Sequence, residues 1–168
     1  GVQKMVRSDL AGAGVMFSID TETGFPGVVT IDAAWGLGEN VVQGTVIPDN
    51  YTVFKPLLDQ RQFTPILHKT LGSKEQKMIY ARRAGQPTRN VPTAAHERHS
   101  FVLNDGEILQ LARWAQIIER HYDTPMDMEW ARDGLDGKLY IVQARPETVV
   151  SQQQGTILEQ FQLQGSGE

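Results

Sequence analysis

Pro125-Met126-Asp127-Met128-Glu129-Trp130-Ala131, then after a glycine-containing loop Lys138-Leu139-Tyr140-Ile141-Val142-Gln143-Ala144-Arg145-Pro146, is the stretch that organises this chain. Apolar and polar residues alternate through both segments, and successive side chains of a strand point to opposite faces. The pattern predicts a β-hairpin. One face carries Met126, Met128, Trp130, Tyr140, Val142 and Ala144 and belongs on a core. The other carries Asp127, Glu129, Gln143 and Arg145, with Leu139 and Ile141 below them. If Asp127 sits opposite Arg145, then Glu129 sits opposite Gln143, because antiparallel partners sum to a constant. A slip by two residues changes the pairs and keeps the face.

The polar face has a specific chemistry. A carboxylate beside an amide oxygen suits a hard cation such as Mg²⁺, which keeps several waters and bridges phosphate oxygens. A neighbouring arginine offers planar, bidentate recognition of phosphate. The pattern alone fits equally well an ordinary half-exposed hairpin with an Asp–Arg cross-strand pair.

Upstream of the hairpin, Asn104 to Tyr122 reads as a long helix. Asn104 caps it, and Glu107 completes a capping box. Ile108, Leu111, Ala112, Ala115, Ile118 and Tyr122 form an apolar stripe at helical spacing, flanked by Trp114 and Ile117. Strands are expected at Val15–Ile19, Val28–Ala34 and Tyr51–Lys55, with short ones at Phe63–Lys69 and Lys77–Tyr80 and a weak one at Val2–Val6. Ala11-Gly12-Ala13-Gly14 reads as a flexible approach, and Thr21 to Gly27 as turn chemistry joining two strands. Ala81 to Ser100, with Gly85, Pro87 and Pro92, reads as a long surface loop, and His96 and His99 as solvated residues on it. Trp35-Gly36-Leu37-Gly38-Glu39 allows tight backbone turns. It can wrap a phosphate, but it lacks the Gly-Lys-Ser/Thr ending; a glycine-rich turn into a short helix is the plainer reading. The expected fold class is α+β, a mostly antiparallel sheet packed with one long helix.

The composition sets limits. The chain has 168 residues, 40% of them hydrophobic, which suffices for one core. Its formal net charge of -4 argues against a nucleic-acid or anionic-membrane surface. No apolar run approaches the roughly 20 residues of a membrane span, and no signal segment opens the chain. With 0 cysteines there is no disulfide, thiolate zinc site or cysteine nucleophile, which fits a reducing cytoplasm. The chain opens on Gly1-Val2-Gln3 without a starting Met. It closes on linker-like runs, Gln152-Gln153-Gln154-Gly155 and Gln164-Gly165-Ser166-Gly167-Glu168, unlike a domain with its own start.

Five blocks in order carry a resemblance over nearly the whole chain: Met5-Val6-Arg7-Ser8-Asp9, Gly14-Val15-Met16-Phe17-Ser18, Trp35-Gly36-Leu37-Gly38-Glu39 through Gly44, Pro125 to Trp130, and Gln143-Ala144-Arg145-Pro146-Glu147-Thr148-Val149. Together they resemble the phosphoenolpyruvate synthase (pyruvate, water dikinase) family. The wider superfamily includes pyruvate, phosphate dikinase and the rifampicin phosphotransferases, and Ala144 to Thr148 fits the synthase branch best. The resemblance implies the C-terminal lobe of an ATP-grasp nucleotide-binding domain over residues 1–150. Residues 151–168 would be a linker toward a phosphohistidine domain that this chain lacks.

The same resemblance implies roles. Glu129 and Gln143 would hold Mg²⁺ on the phosphates of ATP, with Glu129 and Arg145 taking the catalytic part. Arg145 and Asp127 would belong to the phosphate cluster. Gln3, Lys4, Met5 and Val6 would lie along adenine and read it through the backbone. Glu39 is a ribose or structural contact. None of His68, His96, His99 and His121 sits in a phosphohistidine-like motif. The implied partners are ATP, and pyruvate only through absent domains, in a cytoplasmic enzyme that is a homodimer at full length; nucleic acid and membrane are not among them. Two alternatives stay open: the same lobe from a phosphate-using dikinase or antibiotic phosphotransferase, and a non-catalytic assembly module.

Overall fold

The computed structural model describes residues 1–60, 62–83 and 85–148. In chain order the elements are β1 (Gly12–Phe17), β2 (Val28–Trp35), α1 (Glu39–Val42), β3 (Asp49–Phe54), β4 (Ile66–Thr70), β5 (Gln76–Arg83), β6 (Gln86–Pro92), α2 (Ala95–Arg98), α3 (Asp105–Tyr122), β7 (Met126–Arg132) and β8 (Leu139–Pro146). Six strands form one antiparallel sheet in the order β4-β3-β2-β1-β7-β8, and β5 and β6 form a separate hairpin. The fold is α+β with a mostly antiparallel sheet and one long helix. The expected boundary at 150 and the linker at 151–168 lie outside the described residues. Among those described, no helix is long and apolar enough to cross a membrane.

The sheet buries one face against α3. Met16, Val29, Ile31, Ala33, Tyr51, Val53, Met128 and Trp130 point inward and meet Ile108, Leu111, Ala112 and Ala115 of the helix. Asn104 caps α3: its side chain accepts from the Glu107 amide at 3.0 Å, and Glu107 accepts from the Asn104 amide at 2.9 Å. The apolar stripe stops short of Tyr122, which stays exposed as the helix runs past the sheet.

A buried charge hub fastens the far end of the sheet. The Asp49 carboxylate pairs with the Lys74 ammonium, both inaccessible to solvent. It also accepts from the amides of Gly72 at 2.9 Å and Val102 at 2.8 Å. One carboxylate thereby ties β3 to two loops, consistent with the rule that buried charges are paired and hydrogen-bonded.

Three expectations are corrected. Ala11 to Gly14 is no flexible approach, because Gly12–Phe17 is the strand between β2 and β7. A Cβ on Gly14 would stand 1.8 Å from the Asp32 carbonyl oxygen and 3.0 Å from the Trp130 ring; its glycines serve close packing. Ala81 to Ser100 is not a loop but the rest of the β5–β6 hairpin followed by α2. Its first strand is expected only over Lys77–Tyr80, and β6 is largely exposed, so it shows no apolar alternation to read. Val2–Val6 forms no strand; residues 1–7 adopt no regular element.

Candidate functional site

In the β7–β8 ladder Asp127 faces Arg145 and Glu129 faces Gln143, the register anticipated from the sequence. Beyond that pair the register shifts, and Trp130 faces Ile141. Val142 is the extra residue of this bulge, and a one-residue slip exchanges the faces of everything that follows. The sequence expectation fails at this point. Leu139 and Ile141 do not lie below the polar residues; they pack into the main core with Trp130. Tyr140 and Val142 leave that core and join Val6, Ala13 and Ala131 on the outer face. Ala144 is exposed rather than buried.

Four of them, Val6, Ala13, Ala131 and Val142, line a cleft of about 510 Å³. Its floor is Ala13, Gly14, Ala131 and Val142, together with Glu129. Gln3, Lys4, Met5 and Val6 form one wall. Leu37, Gly38, Glu39, Val42 and Gln43 form another, with Tyr80 of β5 beside them. Gly36 makes the second wall. Its φ of +86° turns the chain from β2 toward α1, and a Cβ there would stand 2.4 Å from the Met78 carbonyl oxygen. The Leu37 amide donates to that carbonyl at 2.9 Å, which locks β5 alongside. The glycine-rich segment is thus a turn into a short helix, and this turn borders the cleft.

The Arg145 guanidinium donates from Nε to Asp127 at 2.8 Å. The side chain of Arg145 is 63% exposed and that of Asp127 14%, so the arginine projects outward from an anchored carboxylate. Hydrogen bonding to Asp127 raises the arginine's pKa, and the charges of Asp127 and Glu129 add to this. The Glu129 side chain makes no hydrogen bond or ion pair among the described residues. Lys4, on the opposite wall, is held by Asp133, Asp136 and Tyr140. Glu39 sits on the rim and accepts from Gln43 at 2.9 Å. His68, His96, His99 and His121 are exposed and none lines the cleft.

Sequence reasoning missed Asp32. It faces Val15 in the ladder, and Val15 faces Glu129, so Asp32 shares the outer face two strands away. Burial raises its pKa, against a hydrogen bond from the Asn50 amide at 2.9 Å. The alternation of inward Val29, Ile31 and Ala33 was the signal that could have found it. Tyr80 and Val142 were missed as well. One required knowing that β5 docks on β2, the other that the hairpin carries a bulge.

The donor set fits a hard cation. Glu129 and Gln143 place a carboxylate and an amide opposite each other, both able to offer oxygen. Among the described residues no group of three or more His, Cys, Asp or Glu side chains could hold a metal. A two-oxygen partial shell is what Mg²⁺ takes when phosphates and water complete its coordination. A larger groove of about 1190 Å³ adjoins the cleft through Tyr80. Its Arg7 is already bonded to Asp9 through two nitrogens, at 2.8 and 2.9 Å.

Comparison with known proteins gives a consistent result. The family described as "Pyruvate phosphate dikinase, AMP/ATP-binding domain" matches residues 1–165. The phosphoenolpyruvate synthase of Synechocystis sp. is 60% identical over 169 residues, covering 97% of this chain and 20% of that protein. That of Helicobacter pylori is 53% identical over 100% of this chain and 22% of its own length. The probable phosphoenolpyruvate synthase of Pyrococcus abyssi is 40% identical over 90% of this chain and 18% of its own. The chain spans about a fifth of the length of these relatives.

Proposed function

The chain belongs to the pyruvate phosphate dikinase AMP/ATP-binding domain family, and we propose that its cleft is one half of an ATP site, the C-terminal lobe of an ATP-grasp domain over residues 1–150. The observation that carries this reading is the cleft's polarity. An open stretch of backbone at Gln3–Val6 borders a mostly apolar floor that also carries Glu129, and Gln143 faces Glu129 in the ladder. Adenine lies along Gln3, Lys4, Met5 and Val6, and the phosphates run toward Glu129, Gln143 and Arg145.

Glu129 and Gln143 would hold Mg²⁺, which would supply charge neutralisation at the phosphates. Arg145, kept extended by Asp127, places its guanidinium on the same phosphates. Phosphoryl transfer depends mostly on positioning and charge neutralisation, and these residues supply part of both. The whole protein then converts pyruvate, ATP and water to phosphoenolpyruvate, AMP and phosphate. A histidine on another domain carries the phosphoryl group between half-reactions, and residues 151–168 lead toward that domain. The relatives named phosphoenolpyruvate synthase support the synthase reading over a phosphate-using dikinase only by that name. This chain alone forms no AMP from ATP, Mg²⁺ and pyruvate.

Calorimetric titration with ATP and Mg²⁺ tests the reading, using the parent protein, Glu129→Gln and Arg145→Ala. Binding that depends on Mg²⁺ and is lost in Glu129→Gln supports it. Undiminished Mg²⁺-dependent binding in both variants would sink it.

A further inference from the structure

Lys4 occupies the wall of the cleft, yet its ammonium turns away toward the loop between β7 and β8. Nζ lies 3.0 Å from Asp133 and 3.0 Å from Asp136. It also donates to the Tyr140 hydroxyl at 2.8 Å and sits 4.5 Å from the centre of that ring. Tyr140 in turn donates to Asp136 at 2.8 Å. An ammonium has three N–H donors; two go to Asp136 and Tyr140, and Asp133 pairs with the same charge at 3.0 Å. The two carboxylates are fixed beforehand: the Leu135 amide donates to Asp133 at 2.8 Å and the Lys138 amide to Asp136 at 2.9 Å. The Asp133 side chain is 2% exposed and that of Lys4 51%, so a flexible cation closes on a rigid anionic seat.

Other contacts fasten the same segment to the same hairpin. The Gly134 amide donates to the Arg7 carbonyl at 3.1 Å. The Gln3 side chain reaches the Val142 carbonyl at 3.5 Å. Val6 packs on Ala13, Ala131, Tyr140 and Val142. By contrast, the backbone groups of Lys4, Met5 and Val6 make no hydrogen bond among the described residues. Side chains dock the segment, and its peptide edge is left open beside the cleft.

We propose that Lys4 is a positioning residue: it holds the peptide edge of Gln3–Val6 in fixed register with the hairpin that carries Glu129 and Gln143, and so sets base discrimination rather than phosphate affinity. This rests on the reading of the cleft as an ATP site. A rigid edge of backbone donors and acceptors rejects a base whose polar pattern is reversed, because mismatched groups are left unpaired. A loosened edge adapts to either base. The ammonium is engaged by Asp133, Asp136 and Tyr140, so its loss leaves the Mg²⁺ end unchanged.

The test uses the whole protein that carries this chain, with Lys4→Met, Lys4→Arg and Glu129→Gln. Binding of ATP and GTP with Mg²⁺ is measured beside hydrogen exchange at the Gly134 amide. In Lys4→Met the preference for ATP over GTP should fall about tenfold and Gly134 should exchange faster, whereas Lys4→Arg retains both properties. Glu129→Gln should weaken both nucleotides alike. An unchanged ATP-to-GTP ratio in Lys4→Met overturns the inference whatever the exchange shows. A fallen ratio with unaltered Gly134 exchange overturns the positioning role. Glu129→Gln binding both nucleotides like the parent instead overturns the reading of the cleft.

Discussion

Glu129 stands directly opposite Gln143 in the β7–β8 ladder, and the register breaks immediately beyond them. The pair therefore sits at the junction between two faces of one hairpin. Toward Asp127 and Arg145 the hairpin presents charge. Past the bulge it turns Ile141 and Leu139 into the core and Val142 and Tyr140 to the outer face. Glu129 and the apolar Ala13, Ala131 and Val142 thus share one outer surface.

Deleting Val142 should remove the bulge and leave Leu139 to Ile141 on their present faces, because Ile141 would then follow Gln143 directly and still face Trp130. Leu139 and Ile141 keep their core contacts, so the cost should fall well short of the roughly 3 kcal/mol that exposing both would bring. Urea denaturation would show this. A loss of about 3 kcal/mol or more would mean that the deletion exchanges the faces after all.

Arg145→Ala should weaken Mg²⁺-ATP binding about tenfold while leaving the urea midpoint nearly unchanged, because an exposed ion pair contributes little to stability. Asp127→Asn should give a smaller loss, since it releases the arginine without removing it. Calorimetry on both variants would separate the roles. A large drop in the midpoint for Arg145→Ala would show that the pair is structural.

The Asp49–Lys74 hub makes a different demand. Asp49→Asn leaves a fully buried ammonium without its counter-charge and should cost about 3–5 kcal/mol. Adding Lys74→Met should recover part of that loss, since the uncompensated charge is then gone. The remainder belongs to the hydrogen bonds from Gly72 and Val102. Equal stability of the single and double variants would rule out the buried charge as the cause.

The lock on Lys4 should survive mild acid. Backbone hydrogen bonding to Lys138 and the Tyr140 hydroxyl lower the Asp136 pKa from 3.8 to about 2. A lowered carboxylate pKa stabilises above the unfolded value and loses that contribution as pH falls through the folded one. The lock should stay whole above pH 3.8 and open toward pH 2. The Lys4 pKa is raised, chiefly by its bond to Tyr140, so no loss is expected on the alkaline side below 10.5. Gly134 amide exchange followed against pH would report opening; release at pH 5–6 would contradict the assignment. Asp32 has the opposite sign. Burial raises its pKa, so its ionised form is disfavoured by folding. Asp32→Asn should be more stable than the parent at pH 7, and the difference should vanish below pH 3.8.

The α3 helix and the β7–β8 hairpin were legible because their apolar periods, 3.6 and 2, match a helix and a strand that each bury one face. Of the β5–β6 hairpin only Lys77–Tyr80 was legible; β6 was not, because a mostly exposed strand need not alternate. Gly12 and Gly14 misled for a related reason: glycine signals freedom locally, but here it permits close approach of neighbouring strands.

By itself the sequence determined the α3 helix and most strands, the capping box at Asn104, the polar face of Asp127, Glu129, Gln143 and Arg145, and the resemblance to a family. Those features depend on neighbours in the chain or on a simple alternation. Tertiary structure alone decided the register that sets Glu129 opposite Gln143, that Tyr140 and Val142 leave the core, that Tyr80 comes to the cleft, and that Lys4 meets Asp133 and Asp136. A bulge is one residue of slip that no local pattern announces, and Lys4 and Asp133 lie at opposite ends of the described chain. Only the folding of the sheet, with β1 inserted between β2 and β7, brings them together.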